Sequence, residues 1–345
     1  MRRALSLLAP LGWIYGSAAA LRRRAYAAGL LRQERLDSPV ISVGGLSLGG
    51  SMKTPTVIEL ARALAARGPA VGVIGHGYRA SSPEARLVSN GEAVLETANT
   101  AGDEAVMVAH ELPGVPVAIG AAKAAAGRLL EERFGRRILL VDSGFQHLKL
   151  HRDLDIVCVS EDDLESGVIP SGLLREFPNA LAAAHLILTD RATDGPRVAR
   201  LREARPRDVF SVARADFAFY PADPAATATP APESAFLFCA VGRPERVLSD
   251  VSAQGVRVTG HRFFRDHHAF TAQELQEVVE AAKASGALSV VTTVKDAVRV
   301  SSWPGPLPLH LLSARLDIER LPDVLKRIDS VILKRIMAAQ KKAGS

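Results

Sequence analysis

The chain alternates between two textures of hydrophobic and polar residues. The first is a short, unbroken apolar run ending near glycine, serine or aspartate: "PVISVGG", "AVGVIGHGY", "VPVAIG", "RRILLVDSG", "LDIVCVS" and "AHLILTD". Runs of that length without polar interruption predict strands covered on both faces. The second texture is an apolar residue every three or four positions. It predicts helices in "TPTVIELARALAARG", "AGDEAVMVAHEL" and "AAKAAAGRLLEERFG", the first stopping at Gly68 and the third at Gly135. Asp103 and Glu104 fall in the first turn of the second helix, where outward-pointing N–H groups favour acids. Strand and helix in alternation predict an α/β fold, a parallel sheet with helices on both faces.

The pattern lapses in "YPADPAATATPAPES". Residues 220–234 are rich in Pro, Ala and Thr and lack periodicity, so they are expected to link two units. Beyond them the strand-like runs "AFLFCAVG", "RVTGHRFF", "LSVVTTV" and "LPLHLL" resume with helices between. A smaller C-terminal α/β domain is therefore expected over 235–335, after a larger domain over 37–219. The tail "KRIMAAQKKAGS" is expected to fray.

Composition adds a buried core, since 48% of residues are hydrophobic and 23% charged, a balance that excludes disorder. Cys158 and Cys239 both lie in apolar runs and read as buried thiols in a reducing compartment; their spacing fits no metal site. Charge changes the picture more. The first 36 residues carry seven arginines against Glu34, which accounts for the whole net charge of +6. The balanced remainder argues against a nucleic-acid partner and for a basic arm. Within that arm Ala4 to Leu21 is uncharged and mostly apolar, with Trp13 and Tyr15 inside it. A cleaved signal peptide ending near Ala18-Ala19-Ala20, a spanning helix weakened by Pro10, Gly12 and Gly16, and a helix packed on its own domain are the alternatives. The aromatic residues and Arg22-Arg23-Arg24 favour a fourth, a helix lying in the membrane interface with arginines on lipid phosphates. Residues 1–36 are accordingly expected to form a membrane-associated N-terminal helix.

One strand-to-helix connection carries candidate chemistry. "GGLSLGGSMKT" follows a strand and opens a helix, the setting in which backbone N–H groups cradle phosphate, a lysine reaches the terminal phosphates and a hydroxyl meets Mg²⁺. Lys53 and Thr54 are those residues. Ser47 and Met52 stand where the usual spacing has glycine, and on this pattern alone a plain turn is an equal reading. Asp142 tips the balance. It ends the strand "RILLVD", where an acid in a P-loop NTPase-like sheet holds the metal of phosphoryl transfer. Weaker candidates are Asp103 (a helix cap by the plain reading), His267 and His268 in "FRDHHAF", Arg175 and Glu176 in "SGLLREFP", and Lys295 and Asp296 in "TTVKDAVRV".

Taken in order, "PLGWIYG", "GGLSLGGSMKTP", "GHGYR", "AGDE", "DSGFQHLKLHRDLDIV", "PSGLLRE", "GRPER", "FFRDHHAF" and "TTVKDAVR" resemble the tetraacyldisaccharide 4'-kinases, the lipid A 4'-kinases of Gram-negative bacteria. The resemblance runs from about Pro10 to about Val300 and implies a peripheral enzyme on the cytoplasmic face of the inner membrane. Such an enzyme moves the γ-phosphate of ATP to the 4'-hydroxyl of an acylated glucosamine disaccharide 1-phosphate, giving lipid IVA. By resemblance Asp103 is the base and His267 its neighbour. Gly49, Gly50, Ser51, Met52, Lys53 and Thr54 hold ATP, and Thr54, Asp142 and Glu176 hold Mg²⁺. The family places Gly at Met52, Asn at Gly45, Arg at His76, Asp at Ser143 and Glu at Val294. Methionine at 52 is expected to fit only with negative φ and its side chain turned away. A degenerate member that binds lipid without phosphoryl transfer is the alternative. A soluble NTPase unconnected with lipid is disfavoured by the arm.

Overall fold

The computed structural model describes residues 8–49, 52–75, 77–78, 80–222 and 227–343. Gly50, Ser51 and His76 lie outside them. Helix α1 (Ala9–Ala27) leads into β1 (Val40–Gly45), α2 (Lys53–Ala65), β2 (Val71–Ile74) and β3 (Arg86–Ser89). Next come α3 (Ala98–Ala101), α4 (Asp103–Glu111), β4 (Val117–Ile119), α5 (Lys123–Phe134), β5 (Ile138–Asp142) and β6 (Leu154–Val159). Then α6 (Glu161–Glu165), β7 (Leu186–Asp190), α7 (Pro196–Ala204) and β8 (Val209–Pro221) complete the first half. The second contains β9 (Ser234–Cys239), α8 (Pro244–Ala253), β10 (Arg257–Phe263), α9 (Ala272–Ala284), β11 (Ser289–Thr293), α10 (Val294–Ala297), β12 (Leu309–Ile318) and α11 (Leu321–Ala343).

The strands form one twelve-stranded sheet in the order β10-β9-β11-β12-β8-β7-β6-β1-β5-β2-β4-β3. Two pairings, β12 with β8 and β3 with β4, are antiparallel and the rest are parallel. All ten expected strands are present. The pattern did not disclose β3 or β8. The latter is thirteen residues long, and its outer half is only partly buried, so its apolar positions never form one unbroken run. It joins β7 on one side and β12 on the other, and so makes a single sheet of the two halves.

Alternation along the strands explains why they read as continuously apolar. Ile41, Val43, Ile138 and Leu140 face a cluster with Val57, Leu60 and Leu64 of α2 and Val106 and Val108 of α4. Their neighbours Val40, Leu139 and Val141 face the opposite cluster, with Ala124, Ala126 and Leu130 of α5. The second half repeats the device on β9. Leu237 packs with Val247 and Val251 of α8, while Phe236 and Phe238 pack with Leu275 and Val278 of α9. The expected linker region spans the gap between β8 and β9, with Thr229 donating its N–H to Phe219 O at 2.7 Å.

The tail does not fray as expected: the helix α11 runs to Ala343. Val324, Leu325 and Ile328 bury its first turns in the cluster of α2 and α4, and that anchorage carries the following turns. Both cysteines are free and buried. No helix among the described residues is long and apolar enough to cross a membrane.

Gly44 is the tightest point of β1. A Cβ there would fall 2.4 Å from the Phe145 Cβ and 2.7 Å from its backbone nitrogen. Gly44→Ala is expected to cost about 1–3 kcal/mol, as overpacking of a closed core does. Chemical denaturation checks this, and an unchanged midpoint would refute the close approach.

Candidate active site

Parallel pairing brings the two halves of the phosphate chemistry to one edge. Val43 lies opposite Asp142 in the β1–β5 register, so the loop after β1 and the acid ending β5 emerge together. Thr54, on the first turn of α2, donates its hydroxyl to Asp142 Oδ2 at 2.8 Å, and both residues are buried. Ser143 donates to the other carboxylate oxygen at 3.2 Å. Gly49 has a φ of +112°, a conformation that glycine takes without a Cβ penalty. The Lys53 ammonium donates to Gly49 O at 2.6 Å and so folds back over its own loop.

Met52 departs from expectation. Its φ is +60°, not negative, and it occupies the left-handed region immediately before α2. An L side chain there costs about 1–2 kcal/mol. Two interactions hold it: the Thr56 N–H and hydroxyl both donate to Met52 O, at 3.0 and 2.8 Å. The Met52 side chain packs on the cluster of α2 and α4, which offsets part of the strain.

Asp103 and His267 meet from segments 164 positions apart. His267 Nδ1 lies 2.8 Å from Asp103 Oδ2. Asp103 opens α4 after Gly102, whose φ of +87° and close packing on Tyr78 O suit glycine. Burial alone would raise the Asp103 carboxyl. The hydrogen bond and charge of His267, with the charges of Lys295 and Arg299, outweigh it and hold the group below its ordinary value. His267 is itself at φ +60° and donates its N–H to Ala240 O at 3.3 Å. Its other ring nitrogen is 3.4 Å from Lys295 Nζ. Behind it Asp296, fully buried, accepts from Ala240 N–H at 3.2 Å and pairs with Arg299, so the end of β9 and the start of α10 are locked beneath the histidine.

Glu104 joins the two groups, and its role was hidden by an ordinary setting in a helix's first turn. Burial raises its carboxyl, and the Asp142 charge raises it further, while Lys295 and His267 pull it down. One side chain thus feels both the phosphate-side acid and the Asp103–His267 pair. Lys123 is a second residue the pattern passed over, since a lysine opening a helix normally faces water. Here it is 4% exposed, donates to Gly75 O, and burial brings its ammonium down to about 8, against the opposing pull of Asp142.

Glu176, expected at the metal with Thr54 and Asp142, has its two oxygens engaged by other side chains. Its Oε2 accepts from Arg23 Nε at 2.7 Å, and its Oε1 accepts from Arg23 Nη2 at 2.6 Å and Gln146 Nε2 at 3.1 Å. With both oxygens engaged by a guanidinium, it is an ion-pair partner of α1. Among the described residues no cluster of three His, Cys, Asp or Glu side chains is arranged around a cation position. His268 is structural, bonded to Glu274 at 2.9 Å. Lys295 and Asp296 belong to the start of α10, as the plain reading had it, but Lys295 also reaches Asp266 at 3.1 Å and Glu104 at 3.8 Å.

A family model described as LpxK, tetraacyldisaccharide-1-P 4'-kinase, matches residues 4–333. The tetraacyldisaccharide 4'-kinase of Desulfotalea psychrophila is 35% identical over 322 residues, covering 90% of this chain and 92% of its own. That of Geobacter metallireducens is 37% identical over 303 residues, covering 87% and 89%. The structure of LpxK from Aquifex aeolicus in complex with ATP superposes with a TM-score of 0.79 at 27% identity, covering 95% of this chain and 99% of the other.

The two acids that start α4 have opposite linkage. Asp103 titrates below its ordinary 3.8, so it stabilises the fold above that pH and the contribution is lost as pH falls through the folded value. Glu104 titrates above its ordinary 4.5, so its contribution is full below that pH and is lost as pH rises through the folded value. Asp103→Asn is expected to flatten the acid fall in stability, and Glu104→Gln to stabilise the protein at neutral pH. Urea melts across pH check both. Wild-type slopes in the two variants would dissolve the charge coupling.

Proposed function

This chain belongs to the tetraacyldisaccharide-1-phosphate 4'-kinase family, and on that premise we propose that it transfers the γ-phosphate of ATP to the 4'-hydroxyl of a tetraacylated disaccharide 1-phosphate. Two bonded pairs support this, Thr54 with Asp142 and Asp103 with His267, each at 2.8 Å, in a chain that matches the family over residues 4–333. Nucleotide and sugar hydroxyl would meet between them.

Within that reading the loop from Gly49 to Thr54 is a P-loop for ATP, with Gly50 and Ser51 outside the described residues. The helix N-terminus and Lys53 bind the phosphates. The residues at hand suit Mg²⁺, which takes one or two carboxylates beside substrate phosphates. Thr54 and Asp142 would hold it. The ion supplies neutralisation of the phosphate charge when bound.

Asp103 takes the proton of the 4'-hydroxyl. Its depressed carboxyl is ionised at any working pH, and as a weak base it accepts the proton only as the hydroxyl becomes acidic through attack on phosphorus. His267 fixes the orientation of the carboxylate through Nδ1, and Lys295 and Arg299 keep its charge in place. Ser143 gives the phosphate-side acid a hydroxyl partner where the family has a second carboxylate.

The N-terminal helix supports a peripheral position at a membrane, and the need for ATP puts that position on the cytoplasmic face. Gly12 and Gly16 are its buried residues, turned to the protein, while Leu11, Trp13, Ile14 and Leu21 are more than half exposed. A helix that keeps its glycines inside and its large apolar side chains outside suits a lipid interface, with Arg22 and Arg24 beside the headgroups. The lipid-binding reading without phosphoryl transfer is not favoured, because Thr54 with Asp142 and Asp103 with His267 form two bonded pairs and Lys53 is present beside the loop.

A transfer assay with radiolabelled γ-phosphate ATP, Mg²⁺ and lipid acceptor tests this. Asp103→Asn is expected to slow turnover by about 10²–10⁴-fold with ATP affinity preserved. Lys53→Ala is expected to abolish transfer, and Met52→Gly, which removes the left-handed strain, to tighten ATP binding or raise turnover. Purified protein that binds no Mg²⁺-ATP even as Met52→Gly would overturn the kinase reading.

A further inference from the structure

Helix α1 reaches the phosphate chemistry through a continuous set of contacts. Arg23 forms a two-pronged pair with Glu176, and the two side chains are only 13% and 6% exposed. The same guanidinium donates to Phe145 O at 3.1 Å and lies 4.0 Å from the centre of the Phe145 ring. Glu176 in turn accepts from Gln146, whose amide also donates to Gly45 O at 3.0 Å, the last residue of β1. Arg22 touches Gln146 O at 3.4 Å.

The segment that carries Glu176 lies between α1 and the opening of the phosphate loop. On its outer side Gly12 and Gly16 bring α1 so close that a Cβ would fall 2.8 Å from Val168 O and 2.6 Å from the Phe177 ring. On its inner side Arg175 N–H donates to Leu46 O at 2.7 Å and Leu48 N–H to Leu173 O at 2.8 Å. Ser47 bridges Leu174 between them. Residues 45–48 therefore have their backbone set by a segment that α1 clamps.

We propose that Arg23 is a positioning residue for phosphoryl transfer: its clasp on Glu176 fixes residues 45–48, so that the membrane-facing helix is a structural part of the ATP site. A surface anchor has no use for a buried, bidentate guanidinium directed inward. A guanidinium is also the group that can grip a carboxylate by two parallel bonds and stack on an aromatic ring at once. The inference rests on the kinase reading, and it makes ATP binding depend on a residue far in sequence from the loop.

The test uses the full-length protein in detergent, with Arg23→Met and Arg23→Lys. Calorimetric titration of Mg²⁺-ATP reads the inference without requiring transfer. Arg23→Met is expected to weaken ATP binding about tenfold, the effect of losing hydrogen bonds to a buried charge. In the assay it should raise the KM for ATP and leave the KM for lipid and membrane recovery near wild type. Arg23→Lys, which keeps the cation and the stem but loses the fork, should recover part of the affinity and guards against a Met variant that fails to fold. Glu176→Gln added to Arg23→Lys should weaken ATP binding less than it does alone. Wild-type ATP affinity in a folded Arg23→Lys or Arg23→Met, or loss confined to lipid KM and membrane recovery, would overturn the proposal. Failure of the wild-type protein to transfer phosphate would instead strike the kinase reading, and the ATP titration would still decide on Arg23.

Discussion

The hydrogen bond from Thr54 to Asp142, 2.8 Å long and buried, ties the start of α2 to the end of β5. It forms because β1 and β5 are parallel neighbours with Val43 opposite Asp142. Parallel strands end at the same edge of a sheet, so whatever follows them converges. The two apolar clusters, one on each face, keep those strands in register, since a one-residue slip would exchange the faces. The geometry of the phosphate chemistry is thus inherited from core packing, and the loop needs to supply only Lys53, the hydroxyl and the N–H groups.

The second constraint is strain concentrated near that edge. Met52, Ser143 and His267 are among the non-glycine residues with positive φ, at +60°, +56° and +60°. Each costs on the order of 1–3 kcal/mol and persists only where neighbours over-determine it. Met52 O receives two donors from Thr56, Ser143 donates to Asp142, and His267 is held by Asp103 and Ala240. The strain is sustained by these bonds. At Met52 the carbonyl accepts two hydrogen bonds and the side chain finds apolar contacts behind the loop, which together sustain a positive φ at a residue with a Cβ.

In the proposed mechanism, electrostatics divide the site into a part set for proton transfer and a part set for phosphate. Asp103 sits among His267, Lys295 and Arg299 and is held ionised, while Glu104, one residue later, is raised by burial and by Asp142. Adjacent acids in one helical turn are pushed in opposite directions because Asp103 shares a hydrogen bond with His267 while Glu104 feels the charge of Asp142. Lys123 is buried and bonded to Gly75 O, and burial lowers its ammonium against the pull of Asp142. The N-terminal helix is drawn into the same arrangement through Arg23 and Glu176.

The order of strands and helices was written in the sequence, because an apolar run of strand length and an apolar stripe of helical period are local properties. So were the glycine loop, Lys53, Thr54 and Asp142, since each lies at or just after the end of a strand. The strand β8 escaped because half of it is only partly buried, and the helical tail because packing of Val324 and Ile328 on a distant core sustains it. The positive φ at Met52 is likewise not a local property, since the side chain that it directs packs on the distant core of α2 and α4. Which acid serves which role depended on partners far away along the chain. Asp103 meets His267 across 164 positions and Glu176 meets Arg23 across 153, distances at which spacing carries no information. Sequence determined the parts because propensity and periodicity act over a few residues. Only the folded chain decided the pairings, because a carboxylate takes its charge state and its task from whatever the fold brings within hydrogen-bond reach.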